Sequence, residues 1–259
     1  MKKMVIMTAF KDGGSYEPYV ERCAYSWNLW CRQHGHDFIF WDEKPENPSN
    51  APATFLRMKI FDVLDTVENS KDYDQFSLVD YDTFVFPWCD DYFKLTEGKF
   101  SAVPDAGHVS SLNRSIQMVK ENWFPDSSVN WGNYFNAGFF TFGWEHRPVL
   151  ESVFNFFESE KEKWLHFNKS ADMTDDQTVL NFMVRQKEFP VKLLSRDYNV
   201  LDFYLKMMFD NRIDELGRMI SSKKTFRTAA KIVHLTGGKD FRNDATAEFF
   251  NLFKSELSL

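Results

Sequence analysis

The first third of the chain alternates short apolar runs with amphipathic stretches, and the alternation ends on two aspartates. Met4–Phe10 is an apolar run closed by Lys11-Asp12-Gly13-Gly14, the pattern of a buried strand followed by a turn. Between Glu17 and His34, the residues Val20, Ala24, Trp27 and Cys31 recur at three- and four-residue spacing. That spacing predicts a helix with one buried stripe, stopped by Gly35. Asp37–Trp41 reads as a second strand and Asp42–Pro52, with three prolines, as a loop. Leu56, Ile60, Val63, Leu64 and Val67 predict a second amphipathic helix, and Phe76–Val79 a third strand. Strand, helix, strand, helix, strand is the order of a parallel sheet with crossover helices, whose ligands bind beyond the carboxyl ends of the strands. Here that end is Asp80-Tyr81-Asp82.

Side chains two apart on an extended segment point to the same side, so Asp80 and Asp82 present two carboxylates to one point. Two carboxylates there call for a cation. Mg²⁺ or Mn²⁺ takes oxygen ligands and shares its shell among carboxylates, water and substrate phosphates. Asp-x-Asp triplets also occur on solvated turns. This one follows the strand-like Phe76-Ser77-Leu78-Val79 and precedes Thr83-Phe84-Val85-Phe86, so apolar segments anchor it on both sides. The site reading is the stronger.

The remainder reads as more of the same domain. Tyr134–Phe142 is strand-like, Pro148–Phe167 and Gln177–Arg185 helical, and Lys231–Leu235 a late strand ending at Thr236-Gly237-Gly238. Residues 105–133 read as a loop region bearing Trp123 and Trp131, and 196–227 carries no clear pattern. With 259 residues, no repeat and no linker, one α/β domain is expected, with residues 1–104 as a nucleotide-binding half and 105–259 as an acceptor-side half with a C-terminal helix. The formal charge of -7 disfavours nucleic acid and anionic membrane as partners. No apolar run approaches the ~20 residues that span a bilayer. Met1-Lys2-Lys3 leads into a strand rather than a signal-peptide core, so a cytoplasmic location is expected. The three cysteines, Cys23, Cys31 and Cys89, form no CxxC pair and suggest neither a disulfide framework nor a zinc site.

Five segments, in order, resemble the retaining GT-A glycosyltransferases of family eight, the group of glycogenin and the lipopolysaccharide galactosyltransferases. Phe55-Leu56-Arg57-Met58-Lys59-Ile60 with Leu78-Val79-Asp80-Tyr81-Asp82 is similar to the family's Arg-containing helix and DxD strand. Phe135-Asn136-Ala137-Gly138 is similar to its F-N-[AS]-G strand, Asp176-Gln177-Thr178-Val179-Leu180-Asn181 to its D-Q-x-x-L-N helix start, and His234-Leu235-Thr236-Gly237 to its H-x-x-G. The resemblance implies a Rossmann-like GT-A fold with a mainly parallel mixed sheet flanked by helices. It also implies transfer of a hexose, with retention, from a nucleotide-diphosphate sugar, UDP being the expected nucleotide, to a glycan, protein or small-molecule acceptor.

Carried over residue by residue, it implies Mn²⁺ or Mg²⁺ on Asp80, Asp82 and His234, with imidazole favouring Mn²⁺. Arg57, Asn136 and Asp176 are implied as donor contacts and Gln177 as the group beside the anomeric carbon. Thr8, Ala9, Phe10, Tyr16 and Tyr81 are implied around the nucleotide, and Gly237 and Lys239 at the diphosphate. The family has a Lys three positions after that Gly, whereas here Lys239 is two after Gly237 and Arg242 follows, so either cation fits, Lys239 ranking first. Each residue also has an ordinary reading: Arg57 as an exposed helix cation, Asp176 as a helix cap, Tyr16 as packing. Asp105 and His108 are conceivable general bases for an inverting reaction. Two other functions fit the same half-sequence: a sugar-nucleotide nucleotidyltransferase, for which Asp12-Gly13-Gly14 is a faint phosphate loop, and a non-catalytic carbohydrate-binding protein.

Overall fold

Alternate residues of the first strand enter opposite cores, and the rest of the fold is arranged to cover both. The computed structural model describes residues 2–10, 15–105, 109–171, 175–201, 230–236 and 238–257. The large sheet holds β1 (Lys2–Thr8), β2 (Asp37–Trp41), β3 (Tyr73–Asp80), β5 (Phe100–Pro104), β6 (Phe135–Phe142) and β7 (Val191–Leu193), in the order β2-β1-β3-β6-β5-β7. β1 is parallel to β2 and β3, and β5 to β7, while β6 runs antiparallel to both its neighbours. The sheet is therefore mixed and mainly parallel. A small second sheet, β4 (Thr83–Val85), β9 (Ile232–His234) and β8 (Val200–Leu201), has the order β4-β9-β8.

Met4 and Ile6 of β1 enter one core, while Val5 and Met7 enter the other. This is the signature of a sheet buried on both faces, and it explains why the strand reads as a continuous apolar run. On one face lie α1 (Pro18–His34) and α8 (Lys239–Leu257), supplying Trp27, Trp30, Phe249 and Leu252. On the other lie α2 (Ala53–Leu56), α3 (Ile60–Leu64), α5 (Val109–Trp123), α6 (Arg147–Ala171) and α7 (Asp175–Gln186). The short α4 (Phe93–Thr96) precedes β5. α1 starts on Pro18 and ends on Gly35 at φ 72, where Gly35 N–H and His36 N–H return to the carbonyls of Arg32 and Cys31. Trp27, fully buried on α1, donates its indole N–H to Thr83 O at 3.1 Å and Thr83 Oγ1 at 3.0 Å, fixing the start of β4. Burial of one such ring contributes about 1.5–3 kcal/mol.

Two segments differ from expectation. The second helix is broken: α2 passes into a 3-10 turn at Arg57–Lys59 before α3 begins. Tighter winding at this point accompanies the burial of Arg57, which is 5% exposed rather than a surface cation. Residues 105–133, read as a loop region, contain α5, whose Leu112, Ile116 and Val119 form a buried stripe at helical spacing. Cys23, Cys31 and Cys89 are free and buried. No helix among the described residues is long and apolar enough to cross a membrane.

Candidate active site

Backbone pairing brings the two aspartates and a distant histidine together. Thr8 and Asp80 are register partners at the carboxyl ends of β1 and β3. The chain turns at Tyr81-Asp82 into β4, whose Thr83 is the register partner of His234 on β9, and Leu235 N–H donates to Asp82 O at 2.8 Å. His234 Nε2 thus lies 3.2 Å from Asp82 Oδ1 and 3.8 Å from Asp80 Oδ2. One ligand atom from each of Asp80, Asp82 and His234 falls within 4.8 Å of the others. Asp82 Oδ1 is buried and accepts no hydrogen bond among the described residues, although the imidazole faces it. Two carboxylates and an imidazole converging on one point fit a divalent cation.

The histidine is held by a missing side chain. Its ring lies over Gly138 of β6, where a Cβ would fall 2.2 Å from His234 Cε1 and 2.6 Å from Nδ1. No residue larger than glycine fits beneath the imidazole in this position.

Two arginines balance the acids. Arg57 is buried between Asp80 and Asp176: Nη1 donates to Asp80, while Nε and Nη2 lie 2.8 Å and 2.7 Å from Asp176 Oδ2. Burial works against the guanidinium charge, but Asp176 and Asp80 outweigh it and raise its pKa. Arg242, in the first turn of α8, places Nη2 3.0 Å from Asp82 Oδ2 and donates from Nη1 to Tyr19 Oη at 3.1 Å. Burial pushes the Asp82 carboxyl up, yet His234 and Arg242 together hold it below its usual value.

Beside this cluster the β5–β6 ladder is interrupted, stepping from Ala102↔Phe140 to Val103↔Asn136. The freed amides find side chains: Gln177 Oε1 accepts from Ala137 N–H at 2.9 Å and Asn136 Oδ1 from Gly138 N–H at 2.9 Å. The amide nitrogens of Gln177 and Asn136 donate to Asp105 Oδ2 at 2.6 Å and 3.3 Å, and Asn199 Nδ2 donates to Asn136 Oδ1 at 2.9 Å. Asn181, one turn after Gln177, grips Phe135 N–H and C=O at 2.9 Å each. α7 is therefore pinned to β6 with Asp176 and Gln177 at the sheet edge.

A cleft of about 200 Å³ opens on the other side of the aspartates, lined by Ala9, Phe10, Tyr16, Glu17, Tyr19 and Tyr81. Tyr16 Oη donates to Ala9 O at 2.9 Å, and its ring meets Phe40 edge-on at 5.3 Å.

The structure thus gathers Arg57, Asp80, Asp82, Asp176 and His234 into one cluster. Asn136 and Gln177 adjoin it, Thr8 lies on the same sheet edge, and Ala9, Phe10, Tyr16 and Tyr81 line the cleft. Lys239 stands apart, exposed and paired with Glu17 at 2.6 Å, while Arg242 occupies the inward position. Lys239 opens α8, and Arg242, three residues further along it, is the cation that reaches Asp82. Gly237, His108 and Asp12-Gly13-Gly14 lie outside the described residues. Asn199 and the steric role of Gly138 have no signal in sequence periodicity, since both depend on which strands meet.

No protein-family model and no curated protein matches the sequence. Solved structures do match. A glycosyltransferase involved in glycosylation of the major capsid of PBCV-1 aligns with TM-score 0.61 and 12% identity over 95% of this chain and 100% of that one. The galactosyltransferase LgtC, solved with donor and acceptor sugar analogues, aligns with TM-score 0.51 and 17% identity over 97% of this chain and 95% of its own. The bifunctional glycosyltransferase WbbM aligns with TM-score 0.51 and 15% identity, over 97% of this chain but 51% of WbbM. At these identities the likeness is one of fold: the chain has the GT-A fold of glycosyltransferases.

Proposed function

We propose that this protein is a metal-dependent glycosyltransferase that moves a hexose, with retention of configuration, from a UDP-sugar to a hydroxylated acceptor. The observation that carries this reading is the convergence of Asp80, Asp82 and His234 beside an aromatic-lined cleft at the carboxyl edge of the sheet. Such an edge is where open α/β sheets bind nucleotides. Asp80, Asp82 and His234 would hold Mn²⁺, which when bound supplies Lewis-acid neutralisation of the departing diphosphate. The nucleoside would lie in the cleft, its base against Tyr16 or Phe10 and the backbone of Ala9.

The protein's own groups then have distinct tasks. Arg57 cancels the mutual repulsion of Asp80 and Asp176 and locks both carboxylates in position, so neither must reorganise when substrate binds. Asp176 and Asn136 would accept and donate hydrogen bonds to donor-sugar hydroxyls. Gln177 is fixed at both ends, by Ala137 N–H and Asp105, so its amide dipole is preorganised to stabilise positive charge developing at the anomeric carbon. Asp105, already an acceptor of two amide hydrogen bonds, would align the acceptor hydroxyl while the leaving phosphate takes its proton.

The test is UDP release from a panel of UDP-sugars with Mn²⁺, with Mg²⁺ and with chelator, for wild type and Asp82→Asn. Turnover of one donor that needs metal and is lost in Asp82→Asn supports the reading, and NMR of the product anomer tests retention. Equal turnover with chelator, or none with any donor, refutes it.

A further inference from the structure

Arg242 pairs with Asp82, a carboxylate that the proposed cation would also use. Asp82 Oδ2 is held by Arg242 Nη2 at 3.0 Å, on the residue whose other oxygen faces His234. The guanidinium lies near two tyrosine rings. Its Cζ lies 5.4 Å from the Tyr19 ring and 5.9 Å from the Tyr81 ring, and both tyrosines line the cleft proposed for the nucleoside.

Arg242 Nε is buried and donates no hydrogen bond among the described residues, and Asp82 Oδ1 is buried with the His234 imidazole facing it at 3.2 Å. A buried polar atom without a hydrogen bond is uncommon and calls for a ligand or water. The complement is an anion for the donor and a cation for the acceptor. The backbone beneath Arg242 is fixed: Asn243 Oδ1 accepts from Tyr19 N–H at 3.1 Å, and Arg22 Nη1 donates to Asn243 O at 3.0 Å and lies 3.1 Å from Thr246 Oγ1. Only the side chain needs to swing.

We infer that Arg242 couples metal binding to diphosphate binding, by pairing with Asp82 and yielding that carboxylate when a diphosphate takes the guanidinium. This rests on the glycosyltransferase reading and adds to it an order of affinities. A divalent cation alone must displace or repel a guanidinium from its own ligand. A diphosphate alone strips Asp82 of its counter-charge in a buried setting. Together each removes the other's cost, because phosphate oxygens accept the guanidinium fork and the cation takes the freed carboxylate. Coupling of this kind is reciprocal: UDP tightens the cation and the cation tightens UDP by the same factor.

The experiment is a four-corner binding cycle by calorimetry, with Mn²⁺ and UDP measured alone and each in the presence of the other. It is run on wild type, Arg242→Met and Arg242→Lys, with circular dichroism as the check on folding. In wild type, UDP should tighten Mn²⁺ by at least about fivefold, the lower end of ordinary coupling. In Arg242→Met, Mn²⁺ alone should bind more tightly than to wild type while the coupling falls below the wild-type factor, to the part that direct attraction between cation and diphosphate supplies. Arg242→Lys, which keeps the charge without the fork, should lie between and carries the test if the methionine variant misfolds. Wild-type coupling retained in a folded variant, with Mn²⁺ alone bound no more tightly, overturns the role of Arg242 and leaves the donor reading standing. A wild type that binds neither Mn²⁺ nor UDP overturns both.

Discussion

Replacing Gly138 by alanine tests the cation site without touching a ligand. The new methyl carbon would start 2.2 Å from His234 Cε1, whereas ordinary contact begins near 3.4 Å, so the imidazole must retreat by about 1.2 Å. It has little freedom to do so: His234 is 5% exposed and its backbone is paired with Thr83. Overpacking of this kind costs about 1–3 kcal/mol of stability, which leaves a folded protein. The effect on the site should be larger in proportion. Perturbing the groups that orient a metal ligand weakens affinity by about 10–100-fold. Gly138→Ala should therefore bind Mn²⁺ about 10–100-fold more weakly in calorimetry with UDP present, while circular dichroism stays native. A folded Gly138→Ala protein with wild-type Mn²⁺ affinity would refute the assignment of His234 as a ligand in this geometry.

Three further outcomes follow from the same contacts. Arg57→Met leaves Asp80 and Asp176 facing each other without a counter-charge; because Asp80 is a quarter exposed, the loss should fall at the low end for a broken buried pair, about 3 kcal/mol, read as a lower urea midpoint. His146 accepts a hydrogen bond from Gly143 N–H at 2.9 Å through Nδ1, and burial, partly offset by Glu145, lowers its pKa. The folded state then binds fewer protons than the unfolded chain below the unfolded value of about 6.5, so the urea midpoint should fall as pH drops from 7 to 5, and His146→Gln should flatten that slope. Asn181→Leu strips both backbone groups of Phe135 of their partner and should cost about 2–4 kcal/mol, measured by thermal melt.

What the sequence reveals about this molecule depends on how local the cause is. β1, α1, β2 and β3 are legible because a buried strand is a continuous apolar run and a surface helix keeps one stripe, both visible within a few residues. The break at Arg57–Lys59 is not, because Leu56, Ile60 and Leu64 continue the helical spacing straight through it. Its counterpart is the Arg57–Asp176 pair, formed across the fold. β5 and β7 are too short to stand out, at five and three residues. α5 did have a signal in Leu112, Ile116 and Val119, masked by the polar residues between them. At the site, the aspartates announce themselves by type and spacing. Arg242 does not: nothing local ranks it above Lys239, and its place at Asp82 depends on how α8 packs against α1, through Asn243 with Tyr19 and Arg22.

The most direct measurement is anomalous diffraction at the manganese edge from crystals grown with Mn²⁺ and UDP. The account predicts one strong peak within bonding distance of Asp80, Asp82 and His234, with the uridine in the cleft between Phe10, Tyr16 and Tyr81 and Arg242 turned from Asp82 to the diphosphate. UDP bound in the cleft with no peak at those three side chains, or a peak held by other residues, would contradict it.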